Sequence, residues 1–118
     1  MAGNVLKDKS YSFALLVVQR YKSIVSEKKE FVISKQILRS GTAIGALIRE
    51  AEFAESKKDF IHKMSIALKE ANENIYWLDL LRDSEFIETK VHADLYQNCK
   101  ELVAMLVSSI KTAKSKLD

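Results

Sequence analysis

Proline is absent from this chain and glycine occurs three times. Tight turns between β-strands draw on those two residues, so a sheet built from short hairpins is disfavoured. A single cysteine, Cys99, allows no internal disulfide, and nothing points to an oxidising compartment. The apolar run near the N-terminus, Phe13-Ala14-Leu15-Leu16-Val17-Val18, is followed at once by Gln19-Arg20. A signal peptide needs a longer core, and a membrane span needs about 20 apolar residues. The expectation is a cytoplasmic protein with no membrane role. Only two histidines are present, His62 and His92. A di-iron site in a helical bundle needs two inward Glu-x-x-His motifs, and Asp59-x-x-His62 is the nearest approach, once. No glycine-rich loop follows a strand to cradle phosphate. No metal, cofactor, small-molecule substrate or catalytic constellation is expected.

What is present is a globular balance over 118 residues, 47% hydrophobic and 30% charged. That is the size of one domain, 1–118, with enough apolar surface for a core. The net charge is +3. Residues 1–35 hold seven basic against three acidic side chains, and 95–118 hold four against two. Residues 49–94 hold seven against eleven. Both chain ends are therefore basic and the middle is acidic, a distribution that also fits an ordinary solvated surface.

Hydrophobic periodicity predicts four helices. Phe13, Leu16, Val17, Tyr21, Ile24 and Val25 define helix 1, roughly 8–27. Ser34 is expected to cap helix 2, whose inner face is Ile37, Gly41, Ile44, Ile48 and Ala51. Ser56-Lys57-Lys58-Asp59 has the form of a capping box and opens helix 3, with Met64, Ala67, Ala71, Leu78 and Leu81 on its inner face. Phe60, Leu68 and Ile75 are assigned to the same face. Thr89 is expected to cap helix 4, which reads Val91, Leu95, Cys99, Leu102, Leu106, Ile110, Ala113 and Leu117. Short connections make consecutive helices antiparallel, so the fold class is all-α, an up-down-up-down four-helix bundle.

Three helices carry apolar residues beyond those stripes. Helix 1 is apolar nearly all round from Phe13 to Val18, helix 3 adds Ile66, Trp77 and Leu80, and helix 4 adds Tyr96, Val103 and Val107. Apolar stripes left over after a bundle closes point to self-association. Gly41 and Gly45 lie one turn apart in helix 2, where each glycine costs about 1 kcal/mol relative to alanine. They admit a close neighbour, either another helix of the bundle, another subunit, or a groove. Cys99 falls on the inner stripe of helix 4, where a free cysteine behaves as a small hydrophobe.

If helices 2 and 3 fold back around residue 55, Arg39 comes level with Glu70, Glu73 and Asn74. Glu70 and Glu73 are one turn apart, well placed for the guanidinium fork. Tyr76 and Trp77 lie one turn further on. Such a cluster orients an interface more often than it reacts, and the aromatics suit a protein partner or stacked bases.

Arg39-Ser40-Gly41-Thr42-Ala43-Ile44-Gly45-Ala46-Leu47-Ile48-Arg49-Glu50-Ala51 resembles the second-helix signature of the four-helix bundle family related to the 23S rRNA intervening-sequence protein. Ser56 through Ala71 is similar to that family's third helix, and Glu73-x-x-Tyr76-Trp77-Leu78 matches its Glu-x-x-Tyr-Trp-Leu element. The resemblance spans about residues 10–110. It implies an up-down bundle that assembles into a homopentameric ring, and a likeness to the accessory protein of diversity-generating retroelements, which works with RNA. Arg39, Glu50, Glu73, Tyr76 and Trp77 carry over from the pattern. Ala43 and Leu47 depart from it, standing where the family commonly has Ser and Asn.

Together these expectations describe a non-enzymatic homo-oligomer that contacts RNA or a ribonucleoprotein. The alternative is a self-assembling scaffold that docks another protein. In the bundle, one end would gather Lys7, Lys9, Lys57, Lys58, Lys111, Lys114 and Lys116 against Asp8, Glu52, Glu55, Asp59 and Asp118. Phosphate affinity grows with the number of simultaneous contacts, so repetition around a ring would strengthen that patch.

Overall fold

In the computed structural model, which describes residues 2–117, four helices account for almost the whole chain: α1 (Ala2–Ser23), α2 (Ile33–Glu52), α3 (Lys57–Asp83) and α4 (Thr89–Ser115). Each helix packs on its neighbours in sequence, and α1 closes the square against α4 along the slightest of the four seams. The bundle is elongated, 51 × 21 × 20 Å. Among the described residues no helix is long and apolar enough to cross a membrane.

The predicted stripes form the core. Ile37, Gly41, Ile44, Ile48 and Ala51 of α2 are all buried, as are Leu95, Cys99, Leu102, Leu106 and Ile110 of α4. In α3 Phe60, Leu68 and Ile75 are only half-buried, while Asn74 is fully enclosed. The inner face of α1 begins earlier than its apolar run, with Leu6 and Ser10 buried beside Phe13, Val17 and Ile24. Leu117 at the far end of α4 is exposed.

Two helix starts differ from expectation. Ser56 accepts from the backbone N–H of Asp59 at 3.0 Å, as a capping box requires, and Asp59 accepts from the N–H of Glu55 at 3.1 Å. Ser34, however, is not the cap of α2. Helix α1 runs on through a π-helical turn, Ile24–Lys28, and Lys29 adopts a left-handed conformation (φ 55°) that turns the chain. The next residue, Glu30, is buried and folds its carboxylate over the start of α2. Its two oxygens accept from the N–H groups of Val32 (3.0 Å), Ile33 (2.7 Å) and Ser34 (2.7 Å). Three of the four orphan donors of a helix start are thereby satisfied by one side chain. The Ser34 hydroxyl instead donates back to the Glu30 carbonyl at 2.8 Å. Thr89 likewise does not cap α4, because Glu88 occupies that place without a side-chain bond.

Burial pushes the Glu30 carboxyl up, but the hydrogen bonds from Ser34, Ile33 and Val32 together outweigh it and hold the group below its ordinary value. The folded state therefore favours the carboxylate. Its contribution is present above the unfolded pKa of about 4.3 and is lost as pH falls through the folded value. Replacing Glu30 with Gln is expected to lower stability by about 1–2 kcal/mol at pH 7. The gap to the native chain should narrow on acidification. Urea titrations at pH 7 and pH 3 check both; an equal gap at both pH values would remove the carboxylate as the cause.

Candidate interaction surfaces

Arg39 projects from α2 to α3, where Nη1 donates to Glu70 Oε1 at 3.1 Å, Nη2 donates to Glu73, and Nε donates to Gln36 Oε1 at 3.3 Å. The predicted cluster forms, and it forms within one chain. The Arg39 side chain is about half exposed (49%), so the ion pairs hold the two helices in register while contributing little stability. Asn74 does not join it. That side chain turns inward, and its amide nitrogen donates to the Ile37 carbonyl (3.1 Å) and to Ser40 Oγ (3.0 Å). Glu50 is likewise separate, paired with Lys63 at 3.4 Å nearer the other end of α2.

Tyr76 is exposed and meets Trp77 edge-on, with ring centroids 4.9 Å apart. Trp77 is half-buried against the core, and its indole N–H is enclosed without an acceptor among the described residues. Trp77 thus packs on the core of its own chain, whereas Tyr76 stays exposed. Gly41 and Gly45 both face α1. An added Cβ at Gly41 would lie 2.9 Å from Val17, and at Gly45 3.3 Å from Ser10 Oγ. Of the three neighbours expected for these glycines, a helix of the same bundle is the one present.

The lysine end forms as expected, since the starts of α1 and α3 lie beside the ends of α2 and α4. Part of its charge is neutralised there. Lys7 pairs with Glu52 at 3.1 Å and Lys9 pairs with Glu101, whereas Lys57 keeps its charge and donates to the Lys116 carbonyl at 3.2 Å. Lys58, Lys111 and Lys114 are exposed and have no acidic partner among the described residues. Asp118, counted at that end in the sequence, lies outside the described residues.

Periodicity overlooked one cluster. His92 sits on the stripe of Leu95 and Cys99, three and seven residues before them, and is buried with them. Arg82 approaches Nδ1 at 3.4 Å and Asp79 lies 2.8 Å from Nε2, while Tyr96 stacks on the ring at 5.4 Å. Arginine can only donate, so Nδ1 accepts and Nε2–H donates to Asp79. The cluster joins α3 to α4, and the i, i+3, i+7 spacing was the available signal. Cys99 is fully buried, its thiol bonded to the Ala71 carbonyl at 3.4 Å, and burial pushes its pKa up to about 12. It is a packing residue rather than a nucleophile. Among the described residues no three His, Cys, Asp or Glu side chains are grouped to hold a metal ion.

A family model described as 23S rRNA-intervening sequence protein matches residues 4–108. The chain is also similar to a crystal structure of a protein of unknown function from the S23 ribosomal protein family of Bacteroides thetaiotaomicron. The two share 55% identity and superpose with a TM-score of 0.93, over 94% of this chain and 99% of that one. Among curated proteins, none matches the chain.

Proposed function

We propose that this chain, which belongs to the 23S rRNA-intervening sequence protein family, is a non-catalytic homo-oligomer, pentameric by its family resemblance, that serves as an adaptor for RNA or a ribonucleoprotein. The observation that carries this reading is the exposed lysine group at one end. Lys58 of α3 and Lys111 and Lys114 of α4 come from separate helices yet share that end, without acidic partners among the described residues. Three cations per subunit are a weak phosphate site alone. Repeated around a ring they engage one strand at several points, and each added phosphate steepens both affinity and its salt dependence.

A fluorescence-anisotropy titration with single-stranded RNA, hairpin RNA and duplex DNA, at low and physiological salt, tests the proposal. Saturable binding that prefers one RNA and survives physiological salt is expected. Replacing Lys58, Lys111 and Lys114 together with Gln should weaken that binding by about tenfold or more and flatten its salt slope by roughly one unit for each phosphate no longer engaged. An unchanged slope would remove this face from the interface. Loss of all binding at physiological salt in the native protein would favour the scaffold reading, for which exposed Tyr76 is the supporting surface.

A further inference from the structure

All four helices contribute to a groove of about 750 Å³ at the lysine end of the bundle. The Lys9–Glu101 pair sets the register of the α1–α4 seam, and counting back from it brings Ala2, the first residue of α1, level with Ser108. Helix α4 runs on to Ser115, about two turns further, where α1 has no turn to set against it. The groove is left along this stretch, where α4 contributes the small side chains Ala104, Ser108 and Thr112 beside the start of α3.

The interior of the groove and its rim differ in character. Ile48 and Met64 are buried at its base, and half-buried Phe60 and Met105 offer it their remaining apolar surface. On the rim, Lys7 and Glu52 pair at 3.1 Å and cancel. Lys57 and Lys116 also stand there, with no acidic partner among the described residues. Lys57 Nζ donates to the Lys116 carbonyl at 3.2 Å, a bond that holds its ammonium against the end of α4. An ammonium has three donors, so two remain for an acceptor.

These two features together restrict what fits. A free phosphate would meet the lysines and leave the apolar interior wet. A neutral hydrocarbon would fill the interior and leave two cations unanswered, and a cationic amphiphile would be repelled. We infer that the groove binds a long-chain carboxylate, with its head between Lys57 and Lys116 and its chain laid over Phe60, Met64 and Met105. The volume lies within the roughly 300–1,000 Å³ of small-molecule sites, which pair apolar walls with a few polar groups. Lys58, Lys111 and Lys114 do not line the groove, so this site is separate from the phosphate-facing lysines and stands whether or not RNA binds.

Displacement of the fluorescent fatty acid cis-parinarate from the full chain, below the micellar range, tests the inference. Parinarate should saturate one site per chain and be displaced by palmitate. Hexadecanol, with the same chain and no charge, should displace it about tenfold less well, since hydrogen bonds to a charged group are the strong ones. Shortening the carboxylate should weaken binding by up to about fourfold for each methylene no longer buried. Lys57→Gln combined with Lys116→Gln should bring palmitate down to the level of hexadecanol while leaving hexadecanol unchanged. Ser108→Trp, at an exposed position, should block both ligands with unaltered far-UV circular dichroism. Equal affinities for palmitate and hexadecanol in the native chain, or an unchanged palmitate affinity in the double variant, would overturn the carboxylate assignment. Retained binding in Ser108→Trp would overturn the location. No saturable parinarate binding by the native chain, as when a second copy covers the groove, would overturn the site altogether.

Discussion

Replacing Gly41 with Val is expected to destabilise the bundle by about 3 kcal/mol or more. Gly41 faces α1 where a Cβ would meet Val17 Cγ2 at 2.9 Å, Val17 Cγ1 at 3.0 Å and Asn74 Nδ2 at 3.1 Å. Val17 and Asn74 are both fully buried, so neither can swing into solvent to make room. Overpacking of this kind costs roughly 1–3 kcal/mol for small insertions, and a branched side chain adds two further methyl groups at the tightest point. The gain in helix propensity on leaving glycine, up to about 1 kcal/mol, does not offset that. Gly45 provides the control. Its Cβ would lie 3.3 Å from Ser10 Oγ, so Gly45→Ala asks only a small shift and should be neutral within about 1 kcal/mol. Thermal unfolding of both variants checks the contrast. Equal effects at the two sites would mean that the glycines answer to something other than the approach of α1.

Replacing Asn74 with Asp should cost about 3–5 kcal/mol at pH 7, with almost no change in side-chain volume. The Asn74 amide nitrogen donates to the Ile37 carbonyl and to Ser40 Oγ, whose own hydroxyl donates to Gln36 O at 2.7 Å. An introduced carboxylate would face the Ile37 carbonyl and the Ser40 hydroxyl, whose proton is already committed to Gln36 O, in a fully buried site. The amide oxygen of Asn74 already lacks a donor among the described residues, so no cation or N–H is available there to receive a negative charge. An uncompensated buried charge on this scale is among the most damaging single changes. The introduced group has its pKa raised in the folded state, since burial favours the neutral acid. The sign follows from that direction: the variant is most stable below about pH 4, where the carboxyl is protonated in both states, and loses stability as pH rises. Denaturant titrations from pH 3 to pH 7 should show the gap to the native chain widening. A constant gap would place the side chain in contact with water.

The same residues show how far local pattern reaches. The buried stripes of α2 and α4 were legible because an apolar residue every three or four positions faces one way on any α-helix, whatever it packs against. The pairing of Arg39 with Glu70 and Glu73 was legible for a related reason, since a short α2–α3 turn leaves one antiparallel register. Asn74 was misplaced because level matching gives height along a helix and not direction around it. Trp77 looked like surplus surface, yet it packs on the core, because a large ring reaches inward from the flank of a stripe. His92 was passed over because a histidine is polar by composition, and only the arrival of Asp79 and Arg82 from α3 supplies the bonds that let it be buried.

Composition and periodicity by themselves therefore determined the helix count, the antiparallel order, most of the inner faces and the gathering of lysines at one end. These depend on spacing within a segment and on connections too short to permit another path. The tertiary structure decided which surfaces are left over. Glu30 caps α2 only because a π-helical turn and a left-handed Lys29 bring it back over the helix start. A groove at one end is left where α4 contributes the small side chains Ala104, Ser108 and Thr112, and Phe53 is left exposed where the chain leaves α2. A periodic pattern records which side of a helix avoids water; how tightly two such sides meet is set by the shapes of residues distant in the chain.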